Sequence, residues 1–181
     1  RSSDLDRCYL CKKYMFTKVK ELAHSLGIST ILEGTNADDL KQYRPGIKAI
    51  KESGLHSPLL EANMTKKEIR ELAGTYDLKA ANKPSSPCLA TRFPYHTLLN
   101  YEEMRKVEKI EDYLHACGFY NVRARIHNDL VRLEVDQAAF MKCMDYSQEI
   151  VLFIKELGYD YVTLDLEGFR SGSQDIKLEE K

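Results

Sequence analysis

A chain of 181 residues with 43% hydrophobic side chains, 30% charged side chains and a formal net charge of -1 can bury one full domain, or a compact domain with a smaller one attached, without disulfides or metal to staple it. Near-neutral charge argues against a nucleic-acid coat or a membrane-surface protein, no apolar run approaches the roughly 20 residues of a bilayer span, and the opening RSSDLDRC lacks the apolar stretch of a secretory signal. The expectation is a cytoplasmic protein with no nucleic-acid and no membrane partner, in which five cysteines are more readily buried, metal-binding or reactive thiols than disulfides.

From Cys8 to Leu26 the residues Met15, Phe16, Val19, Leu22, Ala23 and Leu26 recur at helical spacing between lysines, and Gly27 ends the pattern, which predicts an amphipathic helix. Ser29–Glu33 is short and rich in β-branched residues, so it reads as a buried strand opening into the polar loop Gly34–Asp39, a usual place for ligands in a parallel sheet. Tyr43-Arg44-Pro45-Gly46 introduces a short helix to Lys51, Ser57–Glu61 is a second strand candidate, and Thr65-Lys-Lys-Glu68 is a capping box that starts a helix to about Ala73. Alternating strands and helices in this order predict an α/β layer with a parallel sheet.

Between Asn82 and His96 the chain carries Pro84, Pro87 and Pro94 with little periodicity and reads as a loop, with Cys88 in its middle. Tyr101–Ala116 predicts a charged helix whose inner face is Met104, Val107, Ile110 and Leu114. Asn121–His127 and Leu130–Val135 alternate in polarity around Asn128-Asp129 and predict a hairpin. A helix over Gln137–Leu157 and a strand over Tyr161–Leu166 complete a second, smaller α+β domain.

Three features carry candidate chemistry. Cys8 and Cys11 stand three apart, so both thiols project from one helix face. The pair could be half of a zinc site, a redox dithiol, two ligands of an iron–sulfur cluster, or helix packing, and no second C-x-x-C or paired histidines complete a set. Cys88 lies between Lys83 and Arg92, cations that favour a thiolate, whereas Cys117 and Cys143 fall on core stripes. Arg123, Arg125 and Arg132 project from the hairpin in register with Glu134, which suits either guanidinium forks for phosphate or carboxylate, or a plain solvated sheet face. Arg170 follows the last strand in Gly168-Phe-Arg-Ser-Gly-Ser173, where backbone amides and an arginine can meet an anion.

The stretches EGTNADDL, YRPGIKAI, SPLLEANMTKKEIRELA, KPSSPCLATR, RARIHNDLVRLEV and LEGFRSGS, taken together and in this order, resemble the ATP-dependent sulfur-inserting enzymes that build the nickel-pincer nucleotide cofactor of lactate racemase, within the PP-loop ATP pyrophosphatase superfamily. The resemblance implies an α/β fold in which residues 1–82 form part of a PP-loop parallel sheet layer, 83–98 a loop carrying Cys88, and 99–181 a smaller α+β domain for substrate binding and oligomerisation. It implies ATP, Mg2+ and a small-molecule nucleotide substrate, with ATP adenylating a carboxylate of a pyridinium dicarboxylate mononucleotide and sulfur then replacing AMP. In one family branch a loop cysteine gives up its own sulfur, and Cys88 has that motif position; in another, C-x-x-C and the loop cysteine hold a [4Fe-4S] cluster, which would make Cys8, Cys11 and Cys88 the ligands. Asp38 and Asp39 would lie near the nucleotide, Arg92, Arg123, Arg125 and Arg170 would hold phosphate or carboxylate groups, Glu134 would orient them or bind a metal, and Glu111 is a weaker candidate. A homo-oligomer such as a hexamer is implied as well. The Ser-Gly-Gly-x-Asp-Ser loop that grips pyrophosphate is not in this sequence, so the 181 residues are expected to be unable to adenylate by themselves. Two rival readings stand beside it: a tRNA-thiolating relative, disfavoured by the near-neutral charge, and a zinc-stabilised interaction domain.

Overall fold

The computed structural model describes residues 6–41, 46–83 and 86–170. The introducing Tyr43-Arg44-Pro45, the opening Pro84 and Ser85 of the proline-rich loop, and the Ser171-Gly172-Ser173 end of the last loop lie outside them. The chain divides between Lys83 and Pro84 into two compact units, so the Cys88 loop belongs with the second unit.

In the first unit α1 spans Arg7–Ser25, as its periodicity predicts. Gly27, at φ 70°, takes the left-handed turn that a glycine adopts without strain, and the amides of Gly27 and Ile28 fold back onto the carbonyls of His24 and Ala23 to end the helix. The buried face is narrower than expected. Phe16 and Ala23 are covered, and Phe16 packs with Ala49 and Ile50 of α2 (Gly46–Ser53). Met15, Val19, Leu22 and Leu26, read as inward from their spacing, are exposed, because α2 meets the face of the helix that carries Phe16 and not the one that carries these residues.

Both strand candidates of this unit are corrected. Ser29–Glu33 contributes only a parallel bridge between Leu32 and His56, with Glu33 N–H donating to His56 O at 2.9 Å and His56 N–H to Ile31 O at 3.1 Å. Among the described residues no further strand of this unit extends it into a sheet. The run Ser57-Pro-Leu-Leu-Glu61 instead forms the helical turn α3 (Pro58–Glu61). Proline at the first helical position has a preset φ and no N–H to leave unsatisfied, so it favours this start over a central strand. The capping box is present: the Thr65 side chain accepts from Glu68 N–H, Glu68 accepts from Thr65 N–H at 2.8 Å, and α4 runs Lys66–Thr75.

The second unit holds a three-stranded mixed sheet, ordered β1 (Val122–His127), β2 (Leu130–Val135), β3 (Tyr161–Leu164). β1 and β2 are the antiparallel hairpin that alternation predicts, closed by Asn128 at φ 55°, a conformation asparagine tolerates. β3 pairs parallel to β2. One sheet face, Val122, Ala124, Ile126, Val131, Leu133 and Val135, closes a core with Val107, Ile110 and Leu114 of α5 (Tyr101–Ala116). The predicted long helix is three pieces: a 3₁₀ turn at Gln137–Ala139, α6 (Phe140–Asp145) and α7 (Ser147–Glu156), parted where Tyr146 opens to φ -94° and ψ 12°. Cys143, Ile150 and Ile154 still face the core, and Cys117 is half-buried against it. No helix among the described residues is long and apolar enough to cross a membrane.

Candidate functional site

The opposite face of the hairpin carries the charges. Strand alternation puts Arg123, Arg125, Arg132 and Glu134 on one side, and the register pairs Arg123 with Glu134 and Arg125 with Arg132. This face is not the solvated surface that such a pattern also allows. Arg123, Arg125 and Glu134 are buried, because the 3₁₀ turn Leu89–Arg92 brings its buried Ala90 and Arg92 against the hairpin.

Two bidentate ion pairs organise the buried layer. Arg92, 1% exposed, donates from Nε to Glu111 Oε1 and from Nη2 to Glu111 Oε2, both at 2.7 Å. Glu111 Oε1 also accepts the Ala124 amide of the outer strand β1 at 2.9 Å, so one carboxylate from α5 fixes both an arginine and the sheet edge. Arg125 grips Glu134 with Nε and Nη2, each at 3.1 Å. Paired forks satisfy the fixed geometry of both groups, the condition under which mutual attraction can offset the desolvation cost of burying the charges. Arg132 donates to Glu134 at 3.2 Å and to Asp165 at 2.9 Å, and Arg170 donates to the same Asp165 oxygen at 3.3 Å and to Glu167 at 2.5 Å. Asp165, placed at the end of β3, was not distinguishable in the sequence from any acidic loop residue; its role appears only through the parallel β2–β3 pairing.

Arg123 is set apart by its environment. Burial, reinforced by the neighbouring charges of Arg92 and Arg125, pulls its guanidinium down to about 10. It remains a cation at neutral pH, donates to Val122 O, and stacks 5.0 Å from the ring centroid of Phe169.

Cys88 caps this array. Its side chain is exposed, while its backbone carbonyl accepts from Thr91 N–H at 2.9 Å, Thr91 Oγ1 at 2.8 Å and Arg92 Nη1 at 3.4 Å. Arg92, expected to bias the thiol through its charge, is turned inward onto Glu111 and the loop carbonyls. Thr91, within the quoted motif but not singled out in the sequence, lies at the centre of these bonds.

The remaining candidates lie in the first unit. Cys8, half-buried, and Cys11, exposed, occupy the first turns of α1. Asp38 accepts the Lys66 amide at the start of α4 at 2.9 Å and the Lys41 ammonium at 2.8 Å; the Lys41 hydrogen bond, with that amide, holds its carboxyl below the usual range. Asp39 accepts Asn36 N–H at 3.0 Å. Glu33 underlies the same loop, taking Thr35 through both N–H and Oγ1 and taking the Ser57 hydroxyl. Among the described residues no group of three or more His, Cys, Asp or Glu side chains gathers in a form that could hold a metal ion.

No protein-family model matches the sequence. The chain is 40% identical over 169 residues to the uncharacterized protein slr1717 of Synechocystis, across 92% of this chain and 63% of that one. It is 31% identical over 166 residues to the uncharacterized protein MJ0830 of Methanocaldococcus jannaschii, across 92% of this chain and 65% of that one. It therefore spans just under two thirds of the length of these relatives. A third likeness bears on chemistry: over 173 residues, 96% of this chain and 63% of the relative, it is 38% identical to the pyridinium-3,5-bisthiocarboxylic acid mononucleotide synthase of Lactiplantibacillus plantarum.

Proposed function

We infer that this chain is the sulfur-delivering portion of an ATP-dependent sulfurtransferase that converts carboxylates of a pyridinium dicarboxylate mononucleotide into thiocarboxylates. The observation that carries the reading is the 38% identity to the mononucleotide synthase, joined to an exposed Cys88 thiol on a turn anchored above a buried arginine–carboxylate layer. A carboxylate oxygen is a poor leaving group. Attack of that oxygen on the α-phosphorus of Mg2+-bound ATP, with loss of pyrophosphate, makes an acyl-adenylate from which AMP leaves readily when a sulfur nucleophile attacks the acyl carbon. Asp38 and Asp39 would serve the nucleotide side of this reaction.

In this reading Arg123 meets the anionic part of the substrate, the role the resemblance implies; it lies beside Arg92 and Arg125 as well as Glu111 and Glu134, and an incoming phosphate or carboxylate would add to the negative charge that stabilises its cation. Arg170 assists from the end of β3. Glu111 and Glu134 hold Arg92 and Arg125 in place, so the layer is set before substrate arrives. Cys8, Cys11 and Cys88 would be the ligands if the protein belongs to the cluster-bearing branch it resembles, because thiolates are soft donors suited to a [4Fe-4S] cluster and less so to hard cations. Such a cluster, held by those three thiols, would supply transferable sulfide.

The test is anaerobic. The complete protein is purified without oxygen, its iron and sulfide are counted, and it is given ATP and substrate while thiocarboxylate and the mass of the Cys88 peptide are followed. Thiocarboxylate formation with iron and sulfide present and Cys88 intact supports the cluster. Thiocarboxylate with one H2S lost from Cys88 makes Cys88 the donor itself. No thiocarboxylate, or full production by the Cys88→Ala variant, overturns the proposed role.

A further inference from the structure

Every hydrogen-bonding group of Thr91 is engaged. Its amide and its hydroxyl both donate to Cys88 O, at 2.9 and 2.8 Å. Its hydroxyl accepts from Arg92 Nη1 at 2.9 Å, and its carbonyl accepts from Arg125 Nη1 at 2.6 Å. Arg92 is locked to Glu111 on α5 and Arg125 to Glu134 on β2. The residue thus ties the Cys88 turn to both buried ion pairs at once. Its side chain is only half-covered, while the two guanidinium groups it links are almost wholly buried. A short 3₁₀ turn has weak internal hydrogen bonding, so the turn that carries Cys88 takes its rigidity from these outside contacts.

We propose that Thr91 is the positioning residue of the sulfur-transfer site: through its hydroxyl it fixes the Cys88 backbone, and hence the Cα–Cβ direction from which the thiol projects, relative to the arginines that receive the substrate. This inference rests on Cys88 being the sulfur-bearing position. The hydroxyl both donates to Cys88 and accepts from a charged guanidinium, which polarises it and strengthens the bond it gives. Valine has the same shape but can do neither, and serine keeps both bonds while losing only a methyl group. A reacting atom displaced by a fraction of an ångström loses the benefit of orientation, so the cost falls on the transfer step rather than on substrate affinity.

The experiment compares Thr91→Val, Thr91→Ser and Cys88→Ala in the complete protein by single-turnover sulfur transfer, substrate affinity and hydrogen exchange at the amide of position 91. Thr91→Val is expected to slow transfer about tenfold, the equivalent of one hydrogen bond of ~1.4 kcal/mol. Substrate affinity should move less than about twofold, and the amide at position 91 should exchange about tenfold faster. Thr91→Ser should restore all three readouts to near wild type. Wild-type transfer in Thr91→Val alongside a dead Cys88→Ala would overturn the positioning role and leave the proposed function standing. Equal losses in the valine and serine variants would also overturn it, since serine keeps the hydroxyl and its bonds and would then have failed to preserve the transfer they are proposed to support. Undiminished transfer by Cys88→Ala would overturn the proposed function and this inference with it.

Discussion

At the scale of single residues, the buried arginines differ in how strongly their surroundings oppose the charge. Arg92 and Arg125 each face a carboxylate in a bidentate pair, and breaking such a pair leaves a charge stranded in a dry layer, a loss of about 3–5 kcal/mol. Arg123 differs, because burial and two neighbouring cations depress it to about 10. For a base, a folded-state pKa below the unfolded one means that folding works against its positive charge at every pH below the depressed value. Its cation therefore opposes stability at neutral pH, and the opposition fades only as pH rises through about 10. Arg123→Met is expected to keep or raise the melting temperature while lowering sulfur transfer at least tenfold, the pattern of a site that trades stability for function. Calorimetry and single-turnover assays on the same preparation check it. A melting temperature lowered by several degrees would mean that Arg123 is a structural ion-pair member and not a held-ready cation.

At the scale of elements, α5 is fastened at both ends. Near its C-terminal half Glu111 bonds the outer strand, and near its N-terminus Glu103 accepts the Tyr159 hydroxyl at 2.7 Å and the Lys106 ammonium at 2.7 Å, tying the helix to the entry of β3. Burial raises the Glu103 carboxyl, but the bonds from Lys106 and Tyr159 outweigh it and the net pKa lies below 4.5. A lowered carboxylate stabilises the fold above its unfolded pKa and ceases to do so as pH falls through the folded value. Tyr159→Phe should therefore cost about 1.5 kcal/mol near neutral pH, as expected for a lost hydrogen bond to a charged acceptor. The gap from wild type should narrow as pH falls below the ordinary carboxylate range and Glu103 takes up its proton, first in the variant, which lacks one of the bonds that lower it, and then in wild type. Denaturant titrations from pH 7 down to pH 3 measure this, and a gap that stays constant over the range would show that the charge on Glu103 does not carry the effect, since phenylalanine keeps the ring. The elements of this unit were the most legible ones, since alternation around Asn128-Asp129 has a single sheet reading and α5 shows one clean apolar face. What the alternation could not tell is whether Arg123, Arg125 and Glu134 face water, because polar alternation is the same for a solvated face and for one covered by a distant turn. Ser57–Glu61 departs from the strand expectation since a five-residue segment with only Leu59 and Leu60 as apolar neighbours has no period to separate strand from helix, although Pro58 in the first helical position is a usable cue. On α1 two apolar stripes compete, Phe16 with Ala23 and Met15 with Val19, Leu22 and Leu26, and it takes the packing of Ala49 and Ile50 from α2 against Phe16 to show which is buried.

At the scale of the whole molecule, the two units are built to different strengths. The core of Pro84–Lys181 joins α5, all three strands, α6 and α7 around residues such as Ile110, Leu133 and Ile154 that are wholly covered. That of Leu5–Lys83 rests among the described residues on Phe16, Ala49 and Ile50, with Tyr9 and Leu55 against them. Leu22, Leu26 and Leu32 of the same unit are each more than 60% exposed. Apolar area removed from water stabilises by roughly 25 cal/mol per Å2, so the unit that covers less of its apolar surface gains less to set against the entropy of ordering its chain. The units should then open separately rather than in one transition. Digestion of the 181-residue chain by a non-specific protease in mild urea is expected to leave a resistant fragment that begins near Pro84 and lacks Cys8 and Cys11. Amides of β1 and β2 should be the slowest to exchange, and those of α1 should exchange at a rate set by opening of its own unit. Equal cleavage rates on both sides of Pro84 would refute this, since they require the small core of Phe16, Ala49 and Ile50 to open only when the larger one does.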